Sequence, residues 1–270
     1  MKVFISVDME GISGVIDDTD VDVGKKNYEY CRRLLTQDVN AAIEGALEAG
    51  ATEILVNDSH DTMKNVILDE LNPQAQLISG FKKPFLMMEG IDENFDAAFF
   101  IGYHGKAGTT NGILNHTLSG KIQRLFLNGK EVGEAGLNAS LAAAFGVPVV
   151  LVTGDTQTAA EVEVDIPGVF TVAVKEGKGT NTGRCLHPSV TRKMIKEKAK
   201  EALQHSKNIK PLPIETSYTL EVEFKTTMSA QMVSYMPNVE LLDGRTIRYQ
   251  AHEMTQVMPV VLAMLLLSAS

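Results

Sequence analysis

Only two cysteines occur in the 270 residues, Cys31 and Cys185, far apart and without a CxxC pair. That excludes a disulfide framework and a thiolate zinc site, and it fits a reducing cytoplasm. Runs of lysine and arginine are missing as well. With 34 acids against 25 bases the net charge is −9, and the lack of a basic face argues against a duplex nucleic-acid partner. Long apolar runs are absent too: the C-terminal stretch VMPVVLAMLLLSAS is unbroken only over 257–267, short of the about 20 residues that a membrane-crossing helix needs. It reads as a buried helix or a subunit contact. The chain opens as a strand rather than as a charged segment followed by an apolar stretch and a cleavage site, so no signal peptide is expected and the cytoplasm is the expected compartment. No internal repeat or low-complexity segment is visible.

What is present is an alternation of strand-length apolar runs with helical patterns: KVFISV, a helix over 28–50, TEILV, a short helix near 66–71, AQLIS and DAAFFIG. This is the βαβ rhythm of an α/β protein, a mostly parallel sheet flanked by helices. It resumes after IQRLFLNGKEV, where Asn128-Gly129 marks a hairpin turn, with a helix near 134–145, the strand PVVLVTG, a helix near 158–164 and VFTVAV. A basic amphipathic helix is expected over 188–206, and the prolines of IKPLPIE set a linker near 208–214. Beyond it come TLEVEF, a helical stretch near 230–235, the hairpin VELLDGRTIRYQA turning at Asp243-Gly244, and the final apolar helix. The expected organisation is an α/β metal-binding catalytic domain over 1–207 and a smaller α+β domain over 215–270.

Ligands of a parallel sheet bind beyond the carboxyl ends of its strands, so the polar residues after each apolar run are informative. The first run ends in Asp8-Met9-Glu10, the second in NDSH with Asp58 and His60, a later one in GYHG with His104, and Glu134 in GEAG opens a helix. Strand alternation lets Asp8 and Glu10 project to one side, where two bare carboxylates repel each other and a divalent cation relieves the repulsion. Two imidazoles beside them point to zinc rather than calcium or magnesium. Five donors, Asp8, Glu10, His60, His104 and Glu134, exceed the three of a single catalytic zinc. One bridging carboxylate turns them into six contacts, three for each of two ions, an arrangement that serves hydrolysis.

His116 in LNHTLSG is a sixth candidate outside this ligand count, suited to acid–base work near neutral pH; its other reading is a surface histidine. A strand-end acid also has a second reading as a helix cap or first-turn residue, Asp58 in particular. His187, His205 and His252 read as structural. GKGTNTGRC, residues 177–185, misses the phosphate-loop spacing and reads as a mobile loop at the mouth of the site. Asp155 in TGDT reads as an N-cap or as a contact to a substrate amine.

SVDMEGISG, VNDSH, GYHG, NHT and GEAGLNA, in that order across residues 6–139, resemble the bacterial D-aminopeptidases, self-compartmentalising dinuclear zinc peptidases. The similarity extends along the whole chain and includes YMPN at 235–238. It implies that Asp8 bridges two zinc ions, that Glu10, His60, His104 and Glu134 complete the two shells, and that His116 is the catalytic histidine. The family is described with this histidine as nucleophile; a metal-bound hydroxide assisted by His116 is the other route, and both stay open. The resemblance further implies a ring-shaped homodecamer that admits short peptides, and a preference for D-residues that the composition itself does not reveal. The expected activity is release of N-terminal amino acids from short peptides. Its rivals are a dinuclear hydrolase of phosphoesters or non-peptide amides, and a non-catalytic metal or peptide-binding module.

Overall fold

In the computed structural model, which describes residues 1–268, the chain runs through β1 (Lys2–Val7), α1 (Asp18–Val21), α2 (Tyr28–Glu48), β2 (Glu53–Asp58), β3 (Ala75–Ile78) and β4 (Ala97–Ile101). Next come β5 (Ile122–Leu127), β6 (Lys130–Glu131), α3 (Glu134–Ala144), β7 (Val149–Asp155), α4 (Thr156–Asp165), β8 (Phe170–Gly179), β9 (Thr182–Cys185) and α5 (Pro188–Gln204). The last elements are β10 (Tyr218–Phe224), α6 (Thr227–Ser234), β11 (Val239–Leu241), β12 (Thr246–Ala251) and α7 (Met254–Ser268).

A seven-stranded sheet has the order β3-β2-β1-β4-β7-β8-β9, parallel throughout except for the terminal pair β8–β9. Its central strands are apolar without alternation because both faces are covered; β4 and β7 are buried at every residue. On one face α2 and α5 pack through Leu35, Val39, Ile195 and Ala199 onto Val3 and Ile5. The two helices approach closely at Gly45, where a Cβ would lie 2.2 Å from the Lys196 carbonyl oxygen. Lys196 and Lys200 also pair with Glu44 and Glu48 across this seam, but such exposed, solvent-screened pairs contribute little.

The opposite face is covered by α3 and by a second sheet, antiparallel, in the order β11-β12-β10-β5-β6. This sheet is not drawn from the C-terminal part of the chain alone, since β5 and β6 come from residues 122–131 and pair with β10, Leu220 opposite Leu127. A lone two-stranded hairpin with an apolar face is marginal in water, and Ile122, Leu125 and Leu127 are buried in the core that β5 shares with its partner β10. One core therefore runs from Phe4 and Phe100 of the first sheet to Leu220 and Phe224 of the second and Val257 and Val261 of α7.

Smaller differences have local causes. The helix expected near 66–71 is a single 3-10 turn, Leu68–Glu70. Residues 177–185 are not a loop: they form the β8–β9 hairpin, turning at Thr180 and Asn181. Gly177 serves close approach, as a Cβ there would lie 1.8 Å from the Asn111 carbonyl oxygen. No helix among the described residues is long and apolar enough to cross a membrane, and the last two residues of the stretch VMPVVLAMLLLSAS lie outside those described.

Candidate metal centre

Because β1 pairs with β2 on one side and β4 on the other, the segments leaving these strands emerge together. Asp8 directly follows β1, its N–H donating to the Ile101 carbonyl of β4 at 2.8 Å. His60 follows β2 and His104 follows β4. Glu10 does not owe its position to strand alternation, because β1 ends at Val7 and the chain then turns against the backbone of Gly102 and Tyr103. That turn requires glycine at 11: Gly11 N–H donates to the Gly102 carbonyl at 2.7 Å, and a Cβ there would lie 1.8 Å from the Tyr103 carbonyl oxygen. Glu134 comes from the first turn of α3, where the helix dipole favours a carboxylate, and its Oε1 accepts the Leu118 N–H at 2.7 Å.

The fold brings all six candidates together. Asp8, Glu10 and His60 form one group and Asp8, His104 and Glu134 another, each with potential ligand atoms within 4.8 Å of one another; Glu10, His104 and His116 form a third. His60 Nδ1 lies 3.0 Å from Glu10 Oε2 and 3.5 Å from Asp8 Oδ1. His104 Nε2 lies 3.4 Å from both Asp8 Oδ2 and Glu134 Oε1. Carbonyls, which only accept, fix the rings: His60 Nε2 faces the Val21 carbonyl at 3.2 Å and His104 Nδ1 faces that of Gly105 at 3.0 Å. Each ring thus directs an N–H to the backbone and its other nitrogen to the carboxylates, as metal-binding histidines do.

All five donors are buried, none more than 8% exposed. Burial disfavours the Asp8 carboxylate, but the close imidazoles of His104 and His60 overcome it and hold the pKa well below the usual range. Burial also disfavours both imidazolium ions, and again the partners win: Glu10 and Asp8 push His60, and Glu134 and Asp8 push His104, well above 6.5. The field is strongly negative, and a divalent cation would take over the role of those imidazole protons. Asp8 Oδ2 and His104 Nε2, both buried and 3.4 Å apart, make no well-aligned hydrogen bond among the described residues; each offers a lone pair of the kind zinc accepts. The donor set fits zinc.

Asp8, Glu10, His60 and Glu134 line a cavity of about 1170 Å³, with Met63, Phe81, Leu118, and Leu265 and Leu266 of α7 in its wall, and with Thr180 and Asn181 of the β8–β9 turn. His116 is at this wall rather than on an open surface. Its ring stacks on His104, centroids 4.1 Å apart and 17° between planes. Its Nδ1 donates to the Leu114 carbonyl at 2.9 Å, leaving Nε2 3.6 Å from Glu134 Oε1. Leu114 and Leu118, on either side, both have positive φ (53° and 61°), a costly conformation for leucine that concentrates at functional segments.

Asp155 is a cap and no amine contact. Its Oδ1 accepts the N–H groups of Gln157 and Thr158, its Oδ2 that of Ile113, and it is 1% exposed and away from the cavity wall; such a cap contributes about 1–2 kcal/mol. Asp58 is likewise structural, accepting the N–H groups of Asn65 and Val66. His187 caps α5 through the Ser189 N–H, and His205 Nδ1 donates to the Glu201 carbonyl.

Two contributors stand outside the six candidates, Tyr103 although it lies within the GYHG motif and Lys175 in no motif at all. Tyr103 OH, fully buried, bonds to Ser6 Oγ at 2.7 Å and receives Asn138 Nδ2–H at 2.9 Å, tying β1, the segment after β4, and α3 behind the centre. Lys175, at the end of the apolar half of β8, extends to the turn that bears Glu10. Burial lowers its pKa to about 8, which leaves it charged at neutral pH.

Three carboxylates and two imidazoles gathered at the carboxyl ends of parallel strands, with a spare histidine alongside, are the donor set of a co-catalytic metallohydrolase. The chain belongs to the D-aminopeptidase family, whose model matches residues 1–263. It is 42% identical over 265 residues to a D-aminopeptidase of Bacillus subtilis (strain 168), covering 98% of this chain and 96% of that one. It is also similar to the solved structure of the Zn-dependent D-aminopeptidase DppA from Bacillus subtilis, described as a self-compartmentalizing protease. The TM-score is 0.97 at 41% identity, over 100% of this chain and 98% of the other.

Proposed function

We propose that this chain is a dinuclear zinc aminopeptidase that releases N-terminal residues, preferentially of D-configuration, from short peptides. The observation that carries this reading is the sharing of Asp8 by two carboxylate–imidazole groups. Asp8, Glu10 and His60 would hold one ion, and Asp8, His104 and Glu134 the other. When bound, the two ions supply Lewis acidity toward the scissile carbonyl and acidify a water toward pKa 7. Proton movement falls to His116. With Nδ1–H tied to the Leu114 carbonyl, the Nε2 lone pair takes a proton from the attacking water and returns it to the leaving amine nitrogen as the C–N bond breaks. The stack on His104 holds the ring plane during that transfer. The D-preference rests on the family and on the names of the relatives.

Zinc-loaded protein should release the N-terminal residue from D-Ala-D-Ala and D-Ala-Gly-Gly, and leave N-acetylated versions and a phosphoester intact. Parallel L-peptides grade the configuration: preference for L overturns the named substrate but not the peptidase, whereas cleavage of the acetylated peptides or of the phosphoester alone overturns the aminopeptidase.

A homo-oligomer belongs to the same reading, in its finer form a ring-shaped decamer that limits access to short peptides. It is supported by the description of the solved relative and by exposed apolar side chains such as Met228, Tyr235 and Leu266. Light scattering should give a mass several times 29.3 kDa; the mass of a single chain at working concentration would end this part of the proposal. Two free cysteines, one buried and one exposed, suit a reducing cytoplasm.

A further inference from the structure

Lys175 is 2% exposed. An ammonium so placed costs several kcal/mol unless its three N–H groups are satisfied. All three are satisfied by carbonyls of one short segment: Glu10, Ile12 (3.0 Å) and Val15 (2.6 Å). On another side the same segment presses on the backbone of Gly102 and Tyr103 at Gly11. It is held between a backbone contact that tolerates no side chain and a lysine that collects its carbonyls. Glu10 belongs to both sets of contacts, its carbonyl on Lys175 and its Oε2 3.0 Å from His60 Nδ1.

We propose that Lys175 is a positioning residue for one half of the metal centre: by gathering the carbonyls of Glu10, Ile12 and Val15 it holds the Glu10 carboxylate in register with Asp8 and His60. His104 and Glu134 are anchored separately, through the Gly105 carbonyl and the Leu118 N–H, so the influence of Lys175 is one-sided. The inference rests on the two-ion reading above.

The test is a competitive-chelator titration of zinc on Lys175→Met, with circular dichroism and the melting temperature of the metal-free protein as folding controls. One zinc affinity should fall about 10–100-fold, the range for groups that orient ligands, while the other stays within about twofold. Non-additivity identifies the half concerned. The effect should vanish in a His60→Ala background, where that group is already broken, and persist in His104→Ala. Should Lys175→Met not fold, Lys175→Gln, which keeps two N–H donors on a shorter chain, carries the titration with a smaller loss in the same half. Two wild-type affinities in a folded variant, equal weakening of both, or the same effect in both backgrounds overturns the proposal. A wild type that binds no zinc instead overturns the metal reading on which it stands.

Discussion

Asp8→Ala should give a folded protein that binds neither zinc ion under conditions where the wild type binds two, with turnover reduced by about 10³-fold or more, since each ion is worth several kcal/mol of transition-state stabilisation. The reason is topological. Asp8 belongs to both donor groups, whereas His60 and His104 belong to one each of those two. His60→Ala and His104→Ala should therefore each weaken one ion preferentially, and elemental analysis with chelator titration separates the three variants. Equal loss from all three, or two ions kept by Asp8→Ala, contradicts the shared carboxylate. A second readout has a definite sign. In the metal-free protein, carboxylates raise both imidazoles above their ordinary range against the opposing effect of burial. Removing Asp8 takes away one of the two acids acting on each, so the His60 and His104 resonances should titrate at lower pH in Asp8→Ala than in the wild type.

His116→Ala should lower turnover by about 10²–10⁴-fold, the usual contribution of a positioned acid–base group, while zinc content stays near wild type. The two effects separate because the five-donor account needs no ligand from His116, although its ring stacks on that of His104. The rival outcome is concrete, since Glu10, His104 and His116 also lie within ligand distance of one another. A variant that loses an ion makes His116 a ligand; one that keeps both ions and full turnover removes it from the chemistry. The melting temperature should change little, as His116 is only part-buried and its one close hydrogen bond is to the nearby Leu114 carbonyl.

The parallel sheet and the convergence of Asp8, His60 and His104 are legible in the sequence because both depend on local order: an apolar run fixes a strand, and the residues next in the chain lie at the sheet's carboxyl edge. Relations between distant segments leave no such trace. Nothing around Ile122–Leu127 announces that it pairs with Tyr218–Phe224, because antiparallel partners are chosen by burial of a shared face. Lys175 looks like any solvent-facing lysine until β8 is packed beside the turn after β1. Asp155 admits two readings because a cap and a ligand-binding acid both follow a strand; only the N–H of Ile113, 42 residues earlier in the chain, occupies its second oxygen. Glu10 is a candidate for a partly mistaken reason, its place being set by the Gly11 close approach rather than by the pleat.

The cavity wall contributed by α7 bears on how the molecule comes into being on the ribosome. Every proposed donor, from Asp8 to Glu134, is synthesised before Leu265 and Leu266, which line the same cavity. A growing chain thus acquires its metal-binding groups well before the apolar side of the chamber, and the second sheet that supports α7 is itself incomplete until β10–β12 have emerged. Ions held early would sit in a cleft open toward the missing helix, and the cavity wall is finished only near the end of translation.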